Sequence, residues 1–138
     1  MNVKNALRSL GNRLTRAGGG TAAYSAGKSL MARGKYQAAI EAFADAEAAF
    51  RERLGRSHEW VIQAQAYQAW CYVKMSRFTD ATAVYESILT VEKEQLNPEE
   101  PRILELLDQL ATAYEASGRM DDAAHIRQEL DKRRVREE

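Results

Sequence analysis

A three-fold internal repeat constrains the fold of this chain more than any other feature of its sequence. Three ten-residue segments align with one another, and they begin at equal intervals, at Gly34, Ser76 and Gly118. Their sequences are GKYQAAIEAF, SRFTDATAVY and GRMDDAAHIR. A constant interval over three units indicates that the chain folds as a stack of similar structural units.

Small residues recur at two further places in each unit. They are Gly27, Ala69 and Ala111 before the aligned segments, and Ala39, Ala81 and Ala123 inside them. A position without a bulky side chain lets two helix axes approach closely. We therefore expect each unit to be a pair of closely packed helices with a turn at Gly34, Ser76 or Gly118.

The composition favours helices throughout. The two prolines, Pro98 and Pro101, lie close together, and only Gly55 and Gly118 interrupt the chain with glycine after residue 34. Long stretches rich in Ala, Glu, Gln, Leu and Arg favour helix, and no segment shows the alternation of a strand. The chain of 138 residues has the size of one domain. The sequence therefore predicts an all-α fold.

The repeated positions resemble the tetratricopeptide repeat, in which a small residue, a turn and a second small residue recur in a helix-turn-helix unit. The first two units fit the pattern with Gly27, Leu30, Gly34, Tyr36, Ala39 and Phe43, and with Ala69, Tyr72, Ser76, Phe78, Ala81 and Tyr85. The third fits with Ala111, Tyr114, Gly118, Met120 and Ala123, and departs from the pattern at Arg127.

The interval between the units, about 42 residues, is longer than that of the ordinary tetratricopeptide repeat. This long interval and the joint LGRSHEWV at 54–61 are similar to repeats of the kinesin light chain variety. The resemblance implies an α-solenoid of three helix-turn-helix repeats with about six helices, within a domain at residues 21–138. The repeats would span about 20–57, 58–99 and 100–138. Two positions of the second repeat that are usually apolar hold Gln65 and Gln68, which predicts looser or shifted packing there.

The N-terminal residues 1–17 form a separate basic segment, followed by a glycine hinge at 18–20. Its bases are Lys4, Arg8, Arg13 and Arg16, and its apolar residues Val3, Leu7, Leu10 and Leu14 recur at helical spacing. Such a segment could cap the first repeat, dock into a groove of its own or a sister chain, lie on an anionic membrane surface, or direct the chain to an organelle.

The segment around Gly27-Lys28-Ser29 only partly fits a phosphate-binding loop. That motif needs a glycine five residues before Gly27, where this chain has Ala22, and it needs a preceding strand. We therefore interpret Gly27 as a helix-packing position.

No other pattern points to catalysis, a cofactor or a metal. Cys71 is the single cysteine, and His58 and His125 stand apart from other ligands, with His58 placed in a joint between helices. The whole chain has a net charge of zero and its N-terminal segment is basic, so the remaining residues carry a net negative charge. A net negative charge argues against nucleic acid as a partner. We expect no enzyme activity, no cofactor and no metal in a cytoplasmic protein.

The family register implies which side chains line the concave groove of the stack. They are Tyr24, Lys28, Met31, Gln63, Ala66, Trp70, Val73, Lys74, Glu105, Asp108, Thr112 and Glu115. One half of this face is basic and aromatic, and the other half is acidic. Trp70 either anchors a partner or packs between neighbouring helices.

These inferences predict a non-catalytic adaptor whose groove binds a peptide or helix of another protein. The alternatives are a self-associating structural protein and a scaffold recruited to membranes by residues 1–17. Self-association is suggested by an apolar strip in the last repeat, formed by Leu107, Leu110, Ile126 and Leu130.

Overall fold

The computed structural model describes residues 3, 20–95 and 100–137, and these parts contain six α-helices and no strand. The helices are α1 (Thr21–Ala32), α2 (Tyr36–Leu54), α3 (Glu59–Lys74), α4 (Phe78–Lys93), α5 (Glu100–Ala116) and α6 (Met120–Glu137). The prediction of an all-α fold is confirmed. Apart from Val3 and Gly20, the predicted basic segment at 1–17 and the hinge at 18–20 lie outside the described residues.

The first helix of each pair ends in the same left-handed turn. Gly34, Ser76 and Gly118 have φ angles of 74°, 58° and 83°. In each turn the amide of the next residue donates a hydrogen bond to the carbonyl five residues earlier, at 2.8 to 2.9 Å: Lys35 to Leu30, Arg77 to Tyr72 and Arg119 to Tyr114. The amide of the left-handed residue donates a second hydrogen bond to the carbonyl three residues earlier. Together the two bonds form the Schellman motif, which satisfies carbonyls at a helix C-terminus. The predicted turn positions are confirmed.

The turns of the second and third pairs share an arginine contact as well. The guanidinium of Arg77 lies 5.0 Å from the centre of the Tyr72 ring, and its Nε donates a hydrogen bond of 2.9 Å to Asp80. The same contacts recur one repeat later, at 4.3 Å and 2.9 Å, between Arg119, Tyr114 and Asp122. Each arginine thereby joins the end of one helix to the first turn of the next, where a carboxylate also favours the helix dipole.

By its internal contacts the chain divides into two compact units, at residues 1–71 and 72–138. In the first unit α1 packs against α2, and the contact depends on Gly27. A Cβ at Gly27 would lie 2.8 Å from the ring of Phe43, which is fully buried. The interpretation of Gly27 as a packing position is confirmed, and the adjacent Lys28 and Ser29 are exposed residues within α1.

In the second unit α5 packs against both α4 and α6. The side chains that fill its core with almost no exposure are Ile88, Ile103, Leu107, Leu110 and Leu130. The expectation that Leu107, Leu110, Ile126 and Leu130 form an apolar strip for another subunit is therefore wrong, because the three leucines are buried and Ile126 is partly buried. These leucines are buried by packing between the helices of their own unit.

The two glutamines of α3 are buried, and they differ in hydrogen bonding. Gln68 donates from Nε2 to Glu47 Oε1 at 2.8 Å, whereas Oε1 of Gln65 is buried without a partner. The helix continues without interruption through both residues. A buried acceptor without a donor costs about 1–3 kcal/mol.

The first prediction concerns the non-glycine turn residue. We expect Ser76→Gly to raise the free energy of unfolding by about 1 kcal/mol, because glycine tolerates positive φ and a residue with a Cβ does not. Chemical denaturation measures the change. The matched control is Gly118→Ser. Because a Cβ added at Gly118 would meet no atom within 4 Å, this variant should lose a similar free energy of unfolding through backbone strain alone. Unchanged stability in both variants would contradict the left-handed turns.

The second prediction concerns the contact between α1 and α2. Gly27→Ala removes a glycine from a helix, a change that usually stabilises by about 1 kcal/mol. Here we expect a net loss of about 1–2 kcal/mol, because the new methyl group meets a buried ring with no free space. A double-mutant cycle with Phe43→Leu should show favourable coupling between the two substitutions. A stabilised Gly27→Ala variant would show that the helices are not in close contact here.

The third prediction uses the two glutamines as a matched pair. Gln65→Met should stabilise the fold by about 1 kcal/mol, since it removes a buried oxygen that has no donor. Gln68→Met should destabilise the fold, because it removes the donor to Glu47. Thermal unfolding of both variants would test this, and equal effects of the two substitutions would count against the described hydrogen bonding.

Candidate functional site

The predicted groove residues of the first two repeats lie on α1 and α3. Lys28, Gln63, Trp70 and Lys74 are exposed, while Tyr24, Met31, Ala66 and Val73 are partly buried. Two of them are in direct contact within the first unit, where the Tyr24 hydroxyl donates a hydrogen bond of 3.0 Å to Gln63 Oε1. The Lys28 ammonium lies 5.7 Å from the centre of the Tyr24 ring. The structure therefore brings Tyr24, Lys28 and Gln63 together on one surface.

An open pocket of about 220 Å³ lies beside Tyr24 and Gln63 in the first unit. We call it the Trp60 pocket, and its lining residues are Thr21, Tyr24, Phe50, Trp60 and Gln63. Phe50 is buried, whereas half of the Trp60 surface (51%) is exposed. The ring centres of these two residues are 5.4 Å apart. The sequence analysis did not identify Phe50 or Trp60, which stand outside the repeated positions.

The joint between α2 and α3 positions Trp60. His58 directly precedes α3, and its Nδ1 accepts a hydrogen bond of 3.1 Å from the backbone N–H of Trp60. This contact satisfies one of the amides that a helix N-terminus leaves without an intrahelical partner. The His58 ring also packs edge-on against the indole, with centres 5.3 Å apart. The prediction of His58 as a joint residue is confirmed, and the short sequence HEW was the signal that could have indicated Trp60.

Aromatic packing connects the Trp60 pocket to the core of the first unit. The Phe43 ring stacks on Tyr67 at 5.0 Å with an interplanar angle of 16°. Tyr24 packs against both of these rings, and against Phe50 at 6.2 Å. Burial, followed by the neighbouring Tyr67 hydroxyl, raises the pKa of Tyr24 to about 12. The Tyr24 hydroxyl is therefore a neutral hydrogen-bond donor near pH 7.

Trp70 is neither a free side chain nor a core residue. Its ring packs edge-on against Tyr36, with centres 5.9 Å apart, and 39% of its surface remains exposed. At 3.6 residues per turn, Trp60 and Trp70 lie within about 80° of each other around α3 and about 15 Å apart along its axis. Gln63, Tyr67 and Lys74 fall in the same sector. One side of α3 therefore presents two half-exposed tryptophans.

The predicted acidic residues lie on α5, in the second unit. Glu105, Asp108, Thr112 and Glu115 are all exposed. Arg127 of α6 crosses to three of them, with hydrogen bonds of 2.6 Å to Glu115, 3.1 Å to Asp108 and 3.5 Å to Thr112. The bonds to Glu115 and Asp108 raise the pKa of Arg127 above its usual value.

Arg127 was identified in the sequence only as a departure from the repeat pattern. In the structure Arg127 forms ion pairs with two of the three acidic residues predicted to line the groove, Asp108 and Glu115. The positive charge of Arg127 therefore offsets part of the negative charge that the acidic residues give to α5.

The described parts of the chain contain no group of three or more potential metal ligands among His, Cys, Asp and Glu. Burial raises the pKa of the Cys71 thiol to about 11, so it is protonated near neutral pH. None of the helices in the described ranges is both long and apolar enough to cross a bilayer.

Solved structures with a similar fold are kinesin light chain-like repeat proteins. A structure of BtubC (BKLC) from P. vanneervenii aligns with a TM-score of 0.75 and 14% identity, covering 84% of this chain and 46% of that one. A putative kinesin light chain from Podosopora anserina with nearly identical TPR-like repeats aligns with a TM-score of 0.70 and 21% identity, covering 84% and 55%. A variant form of that protein gives a TM-score of 0.69 and 23% identity, covering 83% and 54%.

This chain thus spans about half the length of each of these structures. At these identities the likeness concerns the fold, and it confirms the predicted α-solenoid of the kinesin light chain variety. No curated protein sequence matches the chain.

The sequence model of the tetratricopeptide repeat matches residues 20–94, which include α1 to α4. The third pair, α5 and α6, carries the same turn at Gly118. Repeats of this kind generally mediate protein–protein interactions and are typically non-catalytic. More than half of the sequence thus fits one family, in agreement with the structural comparison, and the chain belongs to the tetratricopeptide repeat family.

Proposed function

We propose that this protein is a non-catalytic interaction module, and that it binds a peptide or helix of another protein along the exposed sides of α1 and α3. The observation that carries this proposal is the pair of half-exposed tryptophans on one side of α3, with the Trp60 pocket beneath one of them. Tryptophan and tyrosine dominate the energetics of protein interfaces, because each buries a large surface at low entropic cost.

The spacing of the two tryptophans limits what can bind. A separation of about 15 Å corresponds to about ten residues of a helix, or to about four to five residues of an extended chain. A suitable partner therefore presents two bulky apolar side chains at one of these intervals. One enters the Trp60 pocket and the other packs on the exposed part of Trp70.

Charge adds direction to this binding mode. Lys28 lies 5.7 Å from the centre of the Tyr24 ring, which lines the Trp60 pocket, so an acidic residue of the partner is favoured beside it. On α5 the carboxylates of Asp108 and Glu115 are already paired with Arg127, and they contribute less to the selection of a basic partner. The surface therefore favours an apolar and acidic ligand.

The proposal predicts that each tryptophan is needed for binding. Trp70→Ala and Trp60→Ala should each weaken partner affinity by about 2 kcal/mol, a factor of about thirty in Kd, because a half-exposed indole loses its interface contacts. The partner would first be identified by cross-linking mass spectrometry in the native host. Isothermal titration calorimetry with the purified partner then gives the affinity of each variant.

Met120→Ala is the matched control, since Met120 is a large apolar residue of α6 with 59% exposure and lies in the other unit. The Met120→Ala variant should bind the partner with the same affinity as the unmodified protein. Retention of partner affinity in both tryptophan variants, together with a fall in their thermal stability, would assign these residues to structural packing and contradict the proposal.

A further inference from the structure

We propose that His58 makes the wall of the Trp60 pocket sensitive to acid. Between about pH 7.5 and about pH 5.5 its imidazole gains a proton, loses the hydrogen bond from the backbone N–H of Trp60 and loosens the first turn of α3. The inference adds a form of regulation to the proposed binding site, so its meaning for partner binding rests on the proposed function. The switch itself belongs to the free protein and is tested there.

The first observation is that His58 caps α3 with both its backbone and its side chain. Its carbonyl accepts the first hydrogen bond of the helix, from the amide of Ile62 at 3.1 Å. Its Nδ1 accepts the hydrogen bond from the Trp60 amide, also at 3.1 Å. A capping side chain stabilises a helix because it satisfies an amide that has no intrahelical acceptor. The backbone of Trp60 is therefore held by one imidazole nitrogen.

Protonation removes this capping group. A neutral imidazole accepts a hydrogen bond at the nitrogen that carries no proton, whereas an imidazolium donates from both nitrogens and accepts at neither. The protonated ring of His58 also brings a positive charge to the N-terminus of α3, where the helix dipole disfavours cations. Both effects have the same sign. The capped first turn is present while His58 is neutral, and it is lost as the pH falls.

The contact between the two rings has the opposite sign and is the weaker effect. An imidazolium is attracted to the face of an indole, and the ring centres of His58 and Trp60 lie 5.3 Å apart. Because His58 is only partly buried and half of the Trp60 surface is exposed, water screens this attraction. The hydrogen bond, in contrast, is replaced by two donors that point at each other. The loss of the hydrogen bond therefore decides the direction of the response.

The other charged groups on the elements that adjoin the joint keep their charge over this pH interval. They are Arg51, Glu52 and Arg53 at the end of α2, Arg56 in the joint, and Glu59 in the first turn of α3. All of them are exposed, and Arg51 is paired with Glu47. Arginine ordinarily stays protonated and glutamate ionised between about pH 5.5 and about pH 7.5, whereas histidine changes its charge there. The response of the joint therefore depends on His58.

The test compares the histidine with an asparagine. His58→Asn keeps a neutral capping oxygen at every pH, since asparagine is among the preferred residues at this position. Chemical denaturation of both full-length proteins gives the ratio of their unfolding equilibrium constants at about pH 7.5 and at about pH 5.5. We expect the ratio to change about fourfold, in favour of the asparagine variant in acid, because one capping side chain typically has an effect of this size.

His125→Asn is the matched control, since His125 is the other histidine of the sequence and lies on α6 in the other unit. This variant should respond to pH as the unmodified protein does. NMR of the free protein locates the effect: the Trp60 amide resonance should shift with the same pH midpoint as the ring resonances of His58. In the His58→Asn variant the Trp60 amide resonance should not shift over this interval.

Three results would overturn the proposal. The first is a ratio of unfolding constants that does not change with pH. The second is a change in favour of the histidine in acid, which would show that the attraction between imidazolium and indole outweighs the hydrogen bond. The third is a Trp60 amide resonance that does not follow the titration of His58. None of these results changes the partner affinity expected of the Trp70→Ala variant at neutral pH, so the two proposals fail independently.

Discussion

The left-handed turn that closes the first helix of each pair is the constraint on which the rest of the structure depends. At Gly34, Ser76 and Gly118 the backbone reverses, and a hydrogen bond from the following residue fixes the end of the helix. The second helix can then begin two residues after the turn and return along the first. Small residues on the first helices, such as Gly27, complete this arrangement, because they allow the returning helix to come close.

The close approach at Gly27 also determines the candidate binding surface. Phe43 fills the space that a larger residue at 27 would need, and its ring stacks on Tyr67. Tyr24 packs on both rings and on Phe50, which in turn contacts Trp60. An unbroken series of aromatic contacts therefore runs from the core of the first unit to an exposed indole. Since the inner rings are fixed by packing, the proposed binding at the exposed ring would carry a low entropic cost.

The repeat interval predicted the helix pairs, the turn residues and the small packing positions, because these follow from local backbone geometry. The Trp60 pocket was not predicted, because Phe50 and Trp60 lie outside the repeated positions and on different helices, α2 and α3. The role of Arg127 was missed for a related reason, since its partners Asp108 and Glu115 lie on a different helix. The apolar strip around Leu107 was misjudged because helical periodicity identifies an apolar face without showing which helix covers it.

The most direct test of the shared turn is the hydrogen exchange of three backbone amides, at Lys35, Arg77 and Arg119, measured by NMR. All three lie between helices, yet each donates a hydrogen bond across its turn. The account predicts that they exchange as slowly as amides within the flanking helices, and that the third behaves like the first two although the family match ends at residue 94. Exchange of any one of them at the rate of an unprotected amide would contradict the three-fold repetition of the fold.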